Sequence, residues 1–450
     1  MTIFVPLIHK FLIHKIFTMH SMLKWLALPC CLTLFTACEG DEFVIPTQPQ
    51  EETGRRTVLM YVSAQNSLGY KNFQKHDSLE IVNGKNFIDE NDRLLVFMDD
   101  ESAPRLYQYT RNDKAPKLVR QWKNDVNSAS PQVLQEVLTW TRTNFPAEEY
   151  GLVMWSHSDG WIPSVNKNYA LTTGAQTYSF GIDVGADGSM KYDRDDEGNI
   201  GAQMDIDDMA AAIQQSGMKL KYIFFDSCLM QNVEVCYSLR NVTDYVIAAP
   251  MQIPGCGANY THLLEKGLFT EAENDIAMVY ANDAKEGLYD KGNEYYDFGL
   301  VISTIRTDKM EALAQTTADV LTRSKLTNKT SVDMENTLYY QPYTSRYFNR
   351  PHNYDAQEAM RLLLSESDFE RYEKALNEAI VNKATTEKFW IGPDYNDMQY
   401  VDSNRFSGIS MFIPQDAYTK VAENCIYGDL NLRFKDTPWY KAAGWAATGW

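Results

Sequence analysis

The sequence predicts an α/β fold in which a mostly parallel sheet carries helices on both faces. Short, continuous apolar runs recur through the first half of the chain and alternate with helical patterns. Such runs are typical of strands buried on both faces, and their alternation with helices indicates a doubly wound domain. The predicted strands are 57–62, 94–98, 152–155, 222–225 and 245–249.

The predicted helices lie between these strands. In 131–145, Val133, Leu134, Val137 and Leu138 fall on one side of a helix, and 204–216 and 229–239 also favour helices. These elements define a domain over 56–265. The remaining chain, 266–450, predicts an α+β region packed on that domain, with strands 300–305 and 409–413 and helices 307–321 and 368–381.

Composition excludes several classes of protein. The chain has 450 residues, of which 44% are apolar, and its formal net charge is −18. It is therefore neither disordered nor collagen-like, and its acidity argues against a nucleic-acid partner. The sequence contains no CxxC pair, so it does not indicate a zinc or redox motif. We expect a monomer.

The first segment, 1–37, predicts a signal peptide. It contains no Asp or Glu but three lysines, and its apolar run 25–37 is too short to span a bilayer. Met22 stands just before the charged and apolar core of this segment, so 1–21 is either an overlong start or a genuine long leader.

The end of the leader resembles a bacterial lipobox. Leu34-Phe35-Thr36-Ala37 precedes Cys38, which would carry the lipid and anchor the chain to a membrane. The alternative is an ordinary buried cysteine after a cleaved leader. Residues 39–42 resemble the acidic tag of surface lipoproteins, and 38–55 predicts a tether. The expected location is the envelope of a Gram-negative bacterium, with cell-surface exposure left open.

Two chemistry-bearing residues follow the third and fourth predicted strands. His157 comes shortly after 152–155, and Cys228 comes shortly after 222–225. Ligands bind at the carboxyl ends of parallel strands, so these residues are expected in one crevice. A predicted helix N-terminus at Cys228 should lower the pKa of its thiol. The alternative is a histidine in a polar loop and a cysteine packed as a small apolar residue.

The surrounding motifs resemble the clostripain family of cysteine endopeptidases. The likeness rests on MWSHSDGW (154–161), FFDSCLMQNVE (224–234), LRNVTDY (239–245), PGCG (254–257) and GISMFIP (408–414). It implies a caspase-like fold and peptide or protein substrates with Arg or Lys before the scissile bond. It also implies a thioester intermediate on Cys228, with His157 as proton-transfer partner.

The resemblance implies further roles. Asp226 matches the acidic residue of the S1 pocket, although it could alternatively cap the next helix. The backbone N–H groups of Cys228 and Ser158 would form the oxyanion hole. The family usually has Gly where this chain has Ser158, so a requirement for positive φ would strain the backbone there.

A Gly- and Asp-rich insertion, 184–203, separates His157 from Cys228. Family members can be activated by cleavage in this region, and Lys167, Lys191 and Arg194 are the candidate self-cleavage sites. Asp193, Asp195 and Glu197 are weak calcium candidates. Position twelve of that pattern is Met204 rather than Glu, which excludes an EF-hand. We expect no required cofactor and leave a calcium requirement open.

Two other functions compete with peptidase activity. A catalytically silent surface lipoprotein could bind peptide or glycan through the same crevice. A glycoside-acting protein would use a carboxylate pair such as Asp99 and Asp100, but neighbouring residues of a strand point to opposite faces, which argues against it.

Overall fold

A ten-stranded sheet forms the centre of the part of the chain that the structure describes. The structure is a computed structural model, and the residues it describes are 42–43, 52–163, 179–185, 201–272, 274–287, 297–330, 332–340, 351–391, 397–420, 422 and 428–450.

The strands are numbered in chain order. They are β1 (Glu42–Phe43), β2 (Gly54–Ser63), β3 (Asp92–Asp99), β4 (Arg105–Tyr109), β5 (Lys117–Trp122), β6 (Ala147–Trp155), β7 (Phe180–Asp183), β8 (Ala202–Met204), β9 (Leu220–Asp226), β10 (Thr243–Ala248), β11 (Val301–Arg306), β12 (Tyr354–Asp355), β13 (Ile380–Thr385), β14 (Lys388–Trp390), β15 (Met398–Tyr400) and β16 (Ser410–Met411).

The helices are numbered in the same way. They are α1 (Ser67–Tyr70), α2 (Phe73–Gly84), α3 (Pro131–Asn144), α4 (Ile206–Ser216), α5 (Val233–Leu239), α6 (Tyr260–Lys266), α7 (Asp275–Glu286), α8 (Met310–Leu321), α9 (Ala356–Leu363), α10 (Glu366–Ala379), α11 (Asp416–Lys420), α12 (Leu430–Asp436) and α13 (Pro438–Ala442). Short 3₁₀ turns cover Lys85–Phe87, Thr307–Lys309 and Trp445–Thr448.

The main sheet has the order β1-β5-β4-β3-β2-β6-β9-β10-β11-β13. Its central strands, from β3 to β10 in this order, are parallel to one another. Antiparallel pairings extend the sheet at both edges. The parallel centre means that the carboxyl ends of β2, β6, β9 and β10 open at one edge.

Alternating residues of β2 pack into two separate hydrophobic cores, one on each face of the sheet. Leu59 and Tyr61 belong to one core, and Val58, Met60 and Val62 belong to the other. Helices α3 and α4 cover the first face, while α2, α6 and α7 cover the second. Burial on both faces explains why the strands read as continuous apolar runs.

Helix α3 shows how local sequence sets the elements. Ser130 caps its N-terminus by accepting a hydrogen bond from the backbone N–H of Gln132, and Pro131 occupies the first turn. Leu134, Val137 and Leu138 form its buried stripe.

The predicted α/β fold class is confirmed, and the differences from prediction are local. The helix predicted over 229–239 begins only at Val233, because the preceding residues form a turn. Strands β11 and β13, from the second half of the chain, pair into the main sheet. Among the described residues, we find no helix with the length and apolarity needed to cross a membrane. The predicted signal peptide lies outside the described residues, as does most of the predicted tether, of which 42–43 and 52–55 are described.

Candidate active site

A pocket of about 220 Å³ opens at the carboxyl edge of the parallel strands. Trp155 of β6 and Asp226 of β9 are directly paired in the sheet. His157 and Cys228 each follow two residues after one member of this pair, and both line the pocket. Sheet register therefore brings together the two residues that the sequence placed in one crevice.

His157 is held from the segment that follows β2. Its Nε2 lies 2.8 Å from Oγ of Ser67, the first residue of α1. Asn66 caps α1 by accepting from the N–H of Leu68, and its side-chain amide donates to the carbonyls of Ser63 and Ile182. Ser67 is therefore fixed by its neighbours and can orient the imidazole.

Cys228 lies in a tight turn between β9 and α5. Leu229, the next residue, has φ of 61°, and its N–H donates to the carbonyl of Met251 at 2.9 Å. The Cys228 thiol faces the carbonyl oxygen of Ile253 at 3.8 Å. A left-handed leucine is unusual backbone of the kind that clusters at functional sites.

The prediction of a lowered thiol pKa is wrong. Helix α5 begins five residues after Cys228, at Val233, so the first-turn N–H groups of that helix do not adjoin the thiol. Burial instead raises the pKa of Cys228 to about 12. Burial, with a smaller effect of the Lys71 charge, lowers the pKa of His157 to about 4. Thiol and imidazole are thus both neutral near pH 7.

Asp226 lies on the pocket wall and is only 3% exposed. Its carboxylate accepts from the hydroxyl of Tyr260 at 2.8 Å and from the N–H of Ala258 at 3.2 and 3.3 Å. Burial raises the pKa of Asp226 to about 7, although these donors oppose the rise. The alternative helix-capping role is wrong, because these are its hydrogen-bond donors and α5 begins only at Val233.

Gly257 allows the neighbouring loop to wrap around this carboxylate. Its φ is 62°, and a Cβ atom there would lie 2.5 Å from Oδ2 of Asp226. Any side chain at this position would therefore displace the carboxylate or the loop.

Ser158 does not have the strained backbone that a glycine requirement would imply. The non-glycine residues with positive φ in the described chain are Asn72 and Leu229. Ser158 instead forms a bridge with Phe180, and its hydroxyl donates to the carbonyl of Cys228. The hydrogen bonds of this bridge are made by the residues next to Ser158 and Phe180, not by Ser158 and Phe180 themselves. The N–H of Ser158 therefore points away from Phe180.

Several pocket residues were missed by sequence reasoning. Ser67 and Lys71 follow the carboxyl end of β2, so the strand-end rule that located His157 could have found them. Trp390 reaches the pocket from the distant strand β14. No local pattern predicts that contact.

Other sequence-predicted site residues lie outside the described residues. These are Cys38, the candidate self-cleavage sites Lys167, Lys191 and Arg194, and the weak calcium candidates Asp193, Asp195 and Glu197. Asp99 and Asp100, considered for a glycosidase, are buried at the end of β3. Asp100 forms an ion pair with Arg105, which occupies its carboxylate.

A family model and a curated relative match this chain. The model of the Peptidase C11, clostripain family matches residues 60–448. Clostripain of Hathewaya histolytica is 21% identical in an alignment 251 residues long, which covers 49% of this chain and 44% of clostripain. The matched part thus spans less than half the length of that relative.

Solved structures provide a second comparison. A secreted C11 cysteine protease from Bacteroides thetaiotaomicron, crystallised with an irreversible peptide inhibitor, is 27% identical with a TM-score of 0.70; the match covers 88% of this chain and 100% of that one. An inactive zymogen C11 protease from Parabacteroides distasonis is 24% identical with a TM-score of 0.67, covering 87% and 99% of the two chains, and supports the fold. The match of the family model over most of the sequence shows that this chain belongs to the clostripain family of cysteine peptidases.

Proposed function

We propose that this protein is a cysteine endopeptidase that cleaves after Arg or Lys through Cys228 and His157. The observation that carries the proposal is the shared pocket in which a thiol, an imidazole and a buried carboxylate meet at the ends of two paired strands. Family membership supports the reaction class, and Asp226 supports the preference for a basic side chain.

The reaction begins with two neutral groups. The Cys228 sulfur attacks the carbonyl carbon of the scissile bond while its proton passes to His157. Protonated His157 then donates to the leaving amine, the C–N bond breaks, and a thioester remains on Cys228. Water attacks the thioester with His157 accepting its proton, and the thiol is released with its proton restored.

The raised thiol pKa suits proton transfer during attack rather than a preformed ion pair. Both residues are half-buried, and burial disfavours the charged form of each group, so separated charges in this pocket would be costly. A bound substrate carbonyl removes the need for a free thiolate, since the sulfur becomes bonded as the proton leaves.

The oxyanion would be stabilised by the backbone N–H groups of Cys228 and Ser158. The Ser158 N–H points away from the Phe180 bridge, and the Ser158 hydroxyl ties its loop to the carbonyl of Cys228. The two N–H donors therefore lie on two loops that this hydrogen bond joins to each other.

Asp226 would select the P1 residue. When ionised, it can pair with guanidinium or ammonium, and a neutral P1 side chain would leave the buried carboxylate without that partner. Tyr260 and Ala258 already orient the carboxylate. Lys71 also lines the pocket beside His157, so we assign it to a different part of the substrate from the basic P1 side chain.

We further propose that the enzyme is exported, anchored by lipid on Cys38, and self-processed at Lys167, Lys191 or Arg194. The lipobox-like segment supports the anchor, and the basic residues between His157 and Cys228 match the proposed specificity. Intact mass of the wild type and of Cys228→Ala tests processing, because a self-inflicted cut requires the thiol. Metabolic labelling with a fatty acid, lost in Cys38→Ala, tests the anchor.

Hydrolysis by this route requires no cofactor. A calcium requirement would appear as activity lost with a calcium chelator and restored by Ca²⁺. Unchanged activity with the chelator would instead indicate a calcium-independent enzyme.

Covalent labelling tests the assigned roles. A peptidyl chloromethyl ketone ending in Arg should modify Cys228, identified by mass spectrometry, while a matched probe ending in Asp should react much more slowly. Asp226→Asn should slow labelling by the Arg probe while retaining reaction with iodoacetamide. Equal labelling by both peptide probes would contradict the S1 assignment. Labelling of neither, in a folded protein, would favour the alternative of a silent peptide- or glycan-binding lipoprotein.

A further inference from the structure

Helix α2 carries a cluster of potential metal ligands outside the pocket. His76, Asp77 and Glu80 each offer one ligand atom, and these three atoms lie within 4.8 Å of one another. We propose that they form a binding site for a divalent transition-metal cation of the zinc class.

The spacing of the ligand atoms fits such an ion. Nδ1 of His76 lies 3.6 Å from Oε1 of Glu80 and 3.7 Å from Oδ1 of Asp77. Two tetrahedral ligand atoms, each about 2.1 Å from the metal, are about 3.4 Å from one another. Shifts of a few tenths of an ångström would therefore bring both measured distances to the value that a bound ion requires. His76 and Glu80 are one helical turn apart and share a face of α2.

Asp77 supplies a separate indication of a ligand. It is only 1% exposed, and neither of its carboxylate oxygens has a partner at hydrogen-bond distance, since Nδ1 of His76 lies 3.7 Å from Oδ1. A buried carboxylate without a donor is costly, and a cation bound at Oδ1 would offset that cost.

The donor set selects the class of metal. One imidazole nitrogen with two carboxylate oxygens suits zinc and its transition-metal neighbours, whereas calcium prefers six to eight oxygen ligands. Three protein ligands also leave a fourth position for water. His76 is half exposed, so the ion can enter from that side.

The cluster is connected to the candidate S1 wall. The N–H of Tyr260 donates to Oε2 of Glu80 at 2.8 Å, and the hydroxyl of the same tyrosine donates to Asp226. Oε1 of Glu80 is the atom facing His76, so metal binding leaves the contact with Tyr260 intact. The ion would therefore brace α2 against the segment that holds Asp226.

Zinc titration by calorimetry tests the site directly. The full chain should carry Cys228→Ala, because a thiol beside an imidazole could itself bind zinc. ZnCl₂ should then bind with one equivalent that is lost, or weakened at least tenfold, when His76→Ala or Asp77→Asn is added. The unfolding temperature should rise with ZnCl₂ in the parent and show a smaller rise in these two variants.

His262→Ala provides the matched control. His262 is as exposed as His76 and pairs with one carboxylate, Asp283, at 2.8 Å, but it is not part of the cluster. It should retain the equivalent of zinc. The proposal is overturned if His76→Ala binds zinc as its parent does, or if His262→Ala removes the same equivalent. Either result would leave His76 as a histidine ion-paired with carboxylates. The experiment measures zinc binding, so its result is independent of whether the protein has peptidase activity.

Discussion

Oγ of Ser67 lies 2.8 Å from Nε2 of His157, so a residue on α1 contacts the imidazole that faces the pocket with Cys228. This contact occupies Nε2, so in the proposed mechanism Nδ1 would exchange the proton with the thiol or substrate. The proposed mechanism makes Ser67 a positioning residue, which acts through the histidine rather than on the reacting bond.

Replacing Ser67 by Ala should reduce kcat about fivefold, because one hydrogen bond that orients His157 contributes about 1 kcal/mol. KM should change little, since the Asp226 region is untouched. Steady-state kinetics with an Arg peptide measure both. Ser67→Thr keeps a hydroxyl and should recover much of the lost rate. A Ser67→Ala enzyme with unchanged kcat would contradict the positioning role.

Asp226→Asn should lower kcat/KM for Arg and Lys peptides by about 100-fold or more, because the buried ion pair with P1 is lost. The wild type should also gain activity on these peptides as pH rises through about 7, where Asp226 ionises. Asp226→Asn should lack that component of the pH profile. Identical profiles for the two proteins would argue against Asp226 as the charge that selects P1.

Asp226 should also affect stability with a defined sign. Its folded pKa, about 7, exceeds the ordinary 3.8, so folding favours the protonated form. The stabilisation is fully present below about pH 4 and is lost as pH rises to about 7. Urea unfolding across this range should show a decline in the free energy of unfolding that is smaller in Asp226→Asn. An equal decline in both would mean that other groups account for it.

Ser158→Gly should not improve the enzyme. The serine has no positive φ to relieve, and its hydroxyl anchors the carbonyl of Cys228. We expect a loss of about 1 kcal/mol in stability and a lower kcat, from the missing hydrogen bond and the added backbone freedom. Thermal unfolding and peptide hydrolysis provide the two readouts. A clear rise in kcat would show that the usual family glycine is better suited to this loop.

Gly160→Ala should damage the turn that carries Cys228. Gly160 has φ of 83°, and a Cβ there would meet the carbonyl oxygen of Leu229 at 2.7 Å. Gly428→Ala is the matched control, because Gly428 has φ of 65° with nothing within 4 Å of the added Cβ. Both should pay the backbone cost of about 1 kcal/mol, and only Gly160→Ala should also lose activity. Equal effects on activity would exclude a specific clash at the Cys228 turn.

The sequence predicted the parallel core because its strands are buried on both faces. It predicted the meeting of His157 and Cys228 because strand ends share one edge of a sheet. It could not predict the turn before α5. Capping residues and the spacing of apolar residues do not show that Leu229 adopts φ of 61°. The prediction of a lowered thiol pKa was wrong for the same reason. The start of the helix was placed too early, and burial rather than a helix N-terminus sets the pKa of Cys228.

Long-range contacts were also beyond sequence reasoning. Trp390 enters the pocket from β14, and the Asp226 carboxylate is held by Tyr260 from α6. Neither pairing leaves a periodic pattern, because each depends on how separate segments pack. The self-cleavage sites and the lipid anchor remain predictions.

The most direct test of the central claim is hydrolysis of matched fluorogenic peptides ending in Arg, Lys, Asp or Ala by the wild type and by Cys228→Ala. The account predicts cleavage after Arg or Lys that is strong in the wild type and absent in the variant. Cleavage that survives in Cys228→Ala, or that favours Asp or Ala, would contradict it.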